Sequence, residues 1–331
     1  MTSFIENKVR QWNTPDVRET NLHLEYLEKK LFRTYEPCLS PNPNFWTRIQ
    51  GWIENANGNA VEEQKLFHSI KHIFYVGNLE FNELYRRAYS GPIARWLIDQ
   101  EGISFTDENA TNKLLSAVEK TWFCPITDSM IINRFYHINN IQAPGADLRT
   151  DWRSLLALGD EERIRKYITD NNINYLVLLE DFVGGGSQMS DAVMFANRFL
   201  DIVSLLVIPL IICPKGIITC ERLSTQTNVN FEPVLTLSKE TFISEQVQAE
   251  ENIYITELRD LSYSTYSQVS DNIEPNAVNT DGIPIKPYHP LGWDNTGGLV
   301  VMFSNTPDNT LPMFHFKSEN WNPIFPRHSR N

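Results

Sequence analysis

Glu180 and Asp181 are the residues whose chemistry is most directly legible. They follow the apolar run Leu176–Leu179, which suits a strand buried on both faces. Two adjacent carboxylates ending such a strand are costly unless they face a crevice, a metal or a ligand. Open parallel sheets have such a crevice at the carboxyl ends of their strands. Phe182 and Val183 come next, then Gly184, Gly185, Gly186, Ser187 and Gln188, with a helix expected from about Met189. Glycine permits positive φ and close backbone approach, and a helix start offers unpaired N–H groups and the positive end of a dipole. Tyr175–Met189, YLVLLEDFVGGGSQM, therefore reads as a strand, a phosphate-binding loop and a helix. No Lys or Arg lies between Phe182 and Ser190, so backbone amides and hydroxyls would hold the phosphate.

Three phosphate chemistries compete. A P-loop needs GxxxxGK[ST], which is absent. A dinucleotide fingerprint needs a third glycine where Met189 stands, and its acidic residue about twenty positions later. A ribose 5-phosphate uses the carboxylates locally: its phosphate lies in the loop, and its 2- and 3-hydroxyls donate to adjacent carboxylates directly or through Mg²⁺. The juxtaposition of the acid pair and the glycine loop favours the third.

These residues must be positioned by a sheet. Trp122, Phe123 and Cys124 read as a short buried strand ending in Pro125, followed by the loop ITDS and a helix-like stretch from Met130 to Ile138. Residues 152–170 read as helix, 175–181 as strand, 189–200 as helix and 203–212 as strand, an alternation that predicts a mostly parallel sheet covered by helices. Upstream, 22–35, 45–56, 61–76 and 81–97 carry apolar residues at helical spacing, with Leu66, Ile70 and Ile73 on one face. Their connectors, PCLSPNPN, ENANGN and YSGP, are rich in turn formers. Residues 214–295 give little pattern: 221–238 suggests strand and loop, 239–261 has helix-compatible parts and 273–293 is loop-like, whereas 298–304 reads as a buried strand before a turn-rich tail.

The 331 residues suggest about two domains. The expected division is a helical region 1–117, serving as scaffold or partner-docking surface, and an α/β domain 118–331 that includes a C-terminal hood or tail. A net charge of -12 argues against broad nucleic-acid binding. The longest apolar run, 202–213, is too short to cross a bilayer and contains Pro209. Cys38, Cys124, Cys213 and Cys220 lack metal-site spacing, and no basic-then-apolar leader opens the chain, so a cytoplasmic protein with reduced thiols is expected. His68 and His72 stand four apart but lack an evident third ligand, and no Ser-His-Asp arrangement can be assigned.

LVLLEDFVGGGSQM resembles the phosphoribosyl-pyrophosphate (PRPP) signature of type I phosphoribosyltransferases. The resemblance implies that fold, a mostly parallel sheet preceded here by the helical region. It assigns the ribose-contacting, catalytic acids to Glu180 and Asp181, and the 5-phosphate loop to Gly184–Gln188 behind Phe182 and Val183. Two departures weaken the expected phosphate site: Gly185 stands where the family usually has Ser or Thr, and Gln188 where it often has Thr, with Ser187 a replacement hydroxyl. In this fold the loop after the first core strand holds pyrophosphate, which implicates Thr127, Asp128 and Ser129, although the same residues would serve a helix N-cap. Lys215 would meet pyrophosphate charge or stand solvated in a turn. Asn305, Asp308 and Asn309 would reach an acceptor or form Asx turns. Mg²⁺ would be held by Asp128, Glu180 and Asp181. FCPITDS, LLEDFVGGGSQ, PLIICPKG, NTPDNTLPMF and WNPIFPR are similar to segments of a branch found in bacterial antiphage defence, including retron-associated effectors. That branch implies PRPP or a nucleotide as ligand, and a protein partner such as a reverse transcriptase or another effector subunit.

Overall fold

A computed structural model describes residues 2–38, 44–141 and 160–328. In chain order the main elements are helices α1 (Ser3–Trp12), α2 (Pro15–Lys30), α3 (Phe45–Glu54) and α4 (Ala60–Ser69), strand β1 (Phe74–Val76), and helices α5 (Asn78–Ala88), α6 (Ala94–Glu101) and α7 (Ala110–Glu119). Then follow β2 (Thr121–Pro125), α8 (Ile132–Ile138), α9 (Glu161–Asp170), β3 (Tyr175–Val183), α10 (Ser187–Ala196), β4 (Ser204–Ile212) and α11 (Pro214–Thr227). The chain continues with β5 (Asn230–Phe231), β6 (Leu235–Thr236), α12 (Ile253–Val269), β7 (Val300–Met302) and α13 (Pro312–His315). The fold is mixed α/β with parallel sheets and helices at its N-terminal end, as expected.

Compactness divides the chain into two units, residues 1–80 with 238–331, and residues 81–237. These borders differ from the 117/118 division read from the sequence. Residues 81–237 hold a five-stranded parallel sheet in the order β2-β3-β4-β5, with β6 also paired to β4. Its centre is apolar on both faces: Val177, Leu178 and Leu179 of β3 and Leu206, Val207 and Ile208 of β4 are fully buried. Hence both strands are legible as unbroken hydrophobic runs rather than alternating ones. In register, Pro125 lies opposite Leu179, and Val183 opposite Ile212. The loops leaving β2 and β3 are therefore neighbours at the carboxyl edge. Residues 152–159 of the expected 152–170 helix lie outside the described residues; the remainder is α9, capped by the Asp160 side chain.

In the other unit, three expectations are revised. The helix read over 61–76 ends at Ser69; Ile70–His72 tighten into a 3₁₀ turn, and Phe74–Val76 form β1. β1 pairs in parallel with β7, so the strand expected at 298–304 shortens to Val300–Met302 and joins a two-stranded sheet outside the main one. β-branched and aromatic side chains favour that extended pairing over another helical turn. The indistinct stretch 214–295 contains a long helix here, α12, and another, α11, in the unit 81–237. In the unit 81–237, the YSGP connector is a π-helical turn, Tyr89–Ile93, containing Pro92 and joining α5 to α6. No helix among the described residues is long and apolar enough to cross a membrane.

Candidate functional site

β3 delivers Glu180 and Asp181 to the carboxyl edge of the sheet, where each is 4% exposed. Burial of two neighbouring carboxylates requires donors, and the loop after β2 supplies several. Thr127 donates its backbone N–H to Glu180 Oε2 at 2.9 Å and its hydroxyl to Glu180 Oε1 at 2.7 Å. Ser129 donates its hydroxyl to Asp181 Oδ1 at 2.9 Å, and the Thr127 and Ser129 hydroxyls lie 2.7 Å apart. The β2–β3 register causes this arrangement, because Ile126 N–H still bonds to Leu179 O at 2.8 Å and leaves residues 127–129 beside 180–181. The structure thus brings together the residues expected on the pyrophosphate side and the ribose side. Asp128 is exposed between its two neighbours.

The glycine loop follows on the same strand. Gly186 has φ +88° and caps α10 without a side-chain bond. Gly184 and Gly186 are buried, Gly185 is half-buried, and Ser187 and Gln188 are exposed on the first turn of α10. α11 packs against this loop. Thr219 donates its hydroxyl to Gly185 O at 2.8 Å, and a Cβ on Gly216 would stand 2.9 Å from Gly184 O. Lys215 is exposed in the first turn of α11, beyond the end of β4. Close packing between the loop and α11 therefore needs at least two of these glycines, independently of any ligand.

Two residues of this neighbourhood were not read from the sequence. The Tyr85 hydroxyl is pushed up first by burial and then by the Asp181 charge, while Arg134 draws it down. Arg134 stands on α8, the helix leaving the Thr127–Ser129 loop, and donates to Asn82 Oδ1 at 2.9 and 2.7 Å. The legible signal was a basic residue in the first turn after ITDS; nothing local marks Tyr85.

Asn305, Asp308 and Asn309 belong to the other compact unit. Asn305 accepts from His328 N–H at 3.1 Å and donates to its carbonyl at 3.1 Å. Asp308 pairs with Arg327, and Asn309 donates to Trp293 O at 3.2 Å and Thr296 Oγ1 at 2.9 Å. These bonds fasten the C-terminal tail. His68 is engaged by Thr20 at 2.8 Å and Asp16 at 3.3 Å, and His72 stacks on Tyr254 with centroids 4.2 Å apart.

Among the described residues, no group of three or more His, Cys, Asp or Glu is placed to hold a metal. Asp128 precedes Ser129 in the chain and Ser129 donates to Asp181, and both carboxylates are hard oxygen ligands. That suits Mg²⁺, which keeps waters and takes one or two carboxylates together with substrate phosphates. The residues fit an ion that arrives with phosphates, not a cage built by protein alone.

A family model described as PRTase-CE matches residues 49–327, well over half of the chain. The chain belongs to that family and is a phosphoribosyltransferase-like protein. No curated protein and no solved structure matches it.

Proposed function

We propose that this PRTase-CE chain binds PRPP, or a closely related ribose phosphate, and transfers the phosphoribosyl group to an acceptor. The observation carrying this reading is the hydrogen-bonded clamp from Thr127 and Ser129 to Glu180 and Asp181. A ligand with an anionic tail and two vicinal hydroxyls matches a hydroxyl-bearing loop joined to an acid pair. Both Glu180 oxygens accept from Thr127, so Glu180 chiefly positions the 127–129 loop. Asp181 would accept the ribose hydroxyls, while the Gly184–Gln188 amides and the Ser187 hydroxyl would take the 5-phosphate. Displacement at the anomeric carbon develops positive charge on the ribose ring, and the adjacent carboxylates would stabilise it. Mg²⁺, when bound at Asp128 and Asp181, would neutralise charge on departing pyrophosphate. Arg134 and Lys215 would add positive charge on the same side.

Calorimetry with PRPP and Mg²⁺ tests the site. Wild type should bind, and Asp181→Asn should bind at least tenfold more weakly. Equal affinities, or no binding by wild type, would sink the assignment. Pyrophosphate release by wild type but not by Asp181→Ala would mark an enzyme.

A second reading is a sensor that binds the ligand without turnover. It is favoured by the absence of Lys and Arg in the loop and by glycines whose packing role is sufficient to explain them. Binding without pyrophosphate release for any acceptor would select it. For either reading, a role in antiphage defence beside a reverse transcriptase or other effector is proposed from the resemblance of FCPITDS, PLIICPKG and NTPDNTLPMF. Neighbouring genes without any defence component would count against that role.

A further inference from the structure

Within the unit formed by residues 1–80 and 238–331, a cavity of about 100 Å³ is lined by Lys286, Tyr288, Asp308, His315, Lys317 and Arg327, among others. Three cations therefore meet one carboxylate. Asp308 is already engaged: it pairs with Arg327 and lies 3.9 Å from Lys286. Burial, then the neighbouring Arg327 charge, holds the Lys286 ammonium below the ordinary lysine value. The positive excess is thus crowded, and an anion would relieve it. The space matches about three waters or one tetrahedral oxyanion.

His315 adds no charge to the cavity. It is 6% exposed, and its Nε2 lies 3.2 Å from the Thr310 carbonyl. A carbonyl can only accept, so Nε2 carries the ring proton and Nδ1 is a bare acceptor. That Nδ1 has no hydrogen-bond partner among the described residues and is closed off from solvent, so it does not face the cavity. Asp308 accepts and cannot donate. The cations call for an anion, and the Asp308 carboxylate calls for an O–H on it.

We propose that this cavity binds a protonated phosphate: inorganic phosphate or the phosphate end of a small phosphomonoester. Sulfate has the same shape but carries no proton at neutral pH, so Asp308 would oppose it. The site is separate from the glycine loop and does not depend on the function proposed for that loop.

The test is calorimetry on the full chain at pH 7 with inorganic phosphate, methyl phosphate and sulfate. Phosphate should bind at least tenfold more tightly than sulfate. Lys286→Met and Lys317→Met, at positions 45% exposed and exposed respectively, should each weaken phosphate at least fivefold without unfolding the protein, as circular dichroism would show. Lys29→Met, at an exposed lysine of α2 outside the cavity lining, should leave this binding unchanged. Methyl phosphate binding within threefold of phosphate would show that monoester ends are admitted; weaker binding would identify free phosphate as the ligand. Equal affinity for sulfate, absence of phosphate binding, or wild-type affinity in both lysine variants would overturn the proposal. So would a loss confined to Ser187→Ala in the glycine loop, because it would place the phosphate there.

Discussion

Gly186→Ala tests the geometry of the site without reference to a ligand. At φ +88° the new residue would occupy a left-handed conformation, at about 1–2 kcal/mol. Its Cβ would stand 2.9 Å from Thr219 Cγ2 and 3.0 Å from Thr219 Cβ. Thr219 can turn away only by giving up its 2.8 Å bond to Gly185 O, a net loss of about 0.5–1.5 kcal/mol. Together these give about 1.5–3.5 kcal/mol, or about 1 M in urea midpoint. Gly102→Ala is the control in the same unit: Gly102 has φ +60° but nothing within 4 Å of an added Cβ, so only the backbone cost of about 1–2 kcal/mol applies. Urea unfolding followed by fluorescence and circular dichroism would compare the two. Equal midpoint shifts for Gly186→Ala and Gly102→Ala would refute the claim that α11 holds the loop through Thr219.

Thr127→Val removes the hydroxyl donated to buried Glu180 while keeping its shape, and should destabilise by about 1.5–3 kcal/mol, with Thr127→Ser well below that in urea unfolding. His315 is held down to about 4 by burial, against an ordinary 6.5. Above pH 6.5 both folded and unfolded states are neutral there. As pH falls, the unfolded state takes the proton first, so up to about 3 kcal/mol should be lost between pH 6.5 and 4. Urea midpoints across that range should show a slope that His315→Gln reduces. Burial pushes the Cys220 thiol up to about 12, and Cys124 and Cys213 are fully buried. Alkylation at pH 8 with mass-spectrometric readout should therefore mark only half-buried Cys38 in the native protein, and all four thiols after denaturation.

The strands of the main sheet were legible because burial on both faces leaves unbroken apolar runs, as at Leu176–Leu179 and Leu205–Ile208. The acid pair and the Thr127–Ser129 loop were legible separately as strand ends. Their bonding depends on the β2–β3 register, which no local pattern specifies. α11 escaped notice because Pro214, Gly216, Ile217, Ile218 and Thr219 are weak helix formers, and packing on the glycine loop decides their state. β1 was hidden because Leu66, Ile70 and Ile73 extend a helical period into a strand whose partner, Val300–Met302, is remote in sequence. Tyr85 was missed for a similar reason: only the tertiary fold brings it into the field of Asp181.

The glycines drew attention to the loop, yet they are its most ambiguous part. Gly186 is required by its φ and by Thr219, and the close approach of Gly216 to the Gly184 carbonyl requires a bare position on α11. Such packing would persist if no phosphate ever bound. The acids argue differently, because burying Glu180 and Asp181 side by side gains nothing for packing and has to be offset by Thr127 and Ser129. The arrangement also couples two surfaces. Any ligand that pulls on the Thr127–Ser129 loop pulls on both carboxylates, and a ribose hydroxyl that displaces Ser129 from Asp181 frees a hydroxyl beside exposed Asp128. Phosphate binding at the loop itself must therefore be sought in the exposed first turn of α10, at Ser187 and Gln188. If Ser187→Ala and Gln188→Ala leave ribose 5-phosphate affinity unchanged while Asp181→Asn abolishes it, the site reads hydroxyls rather than the 5-phosphate.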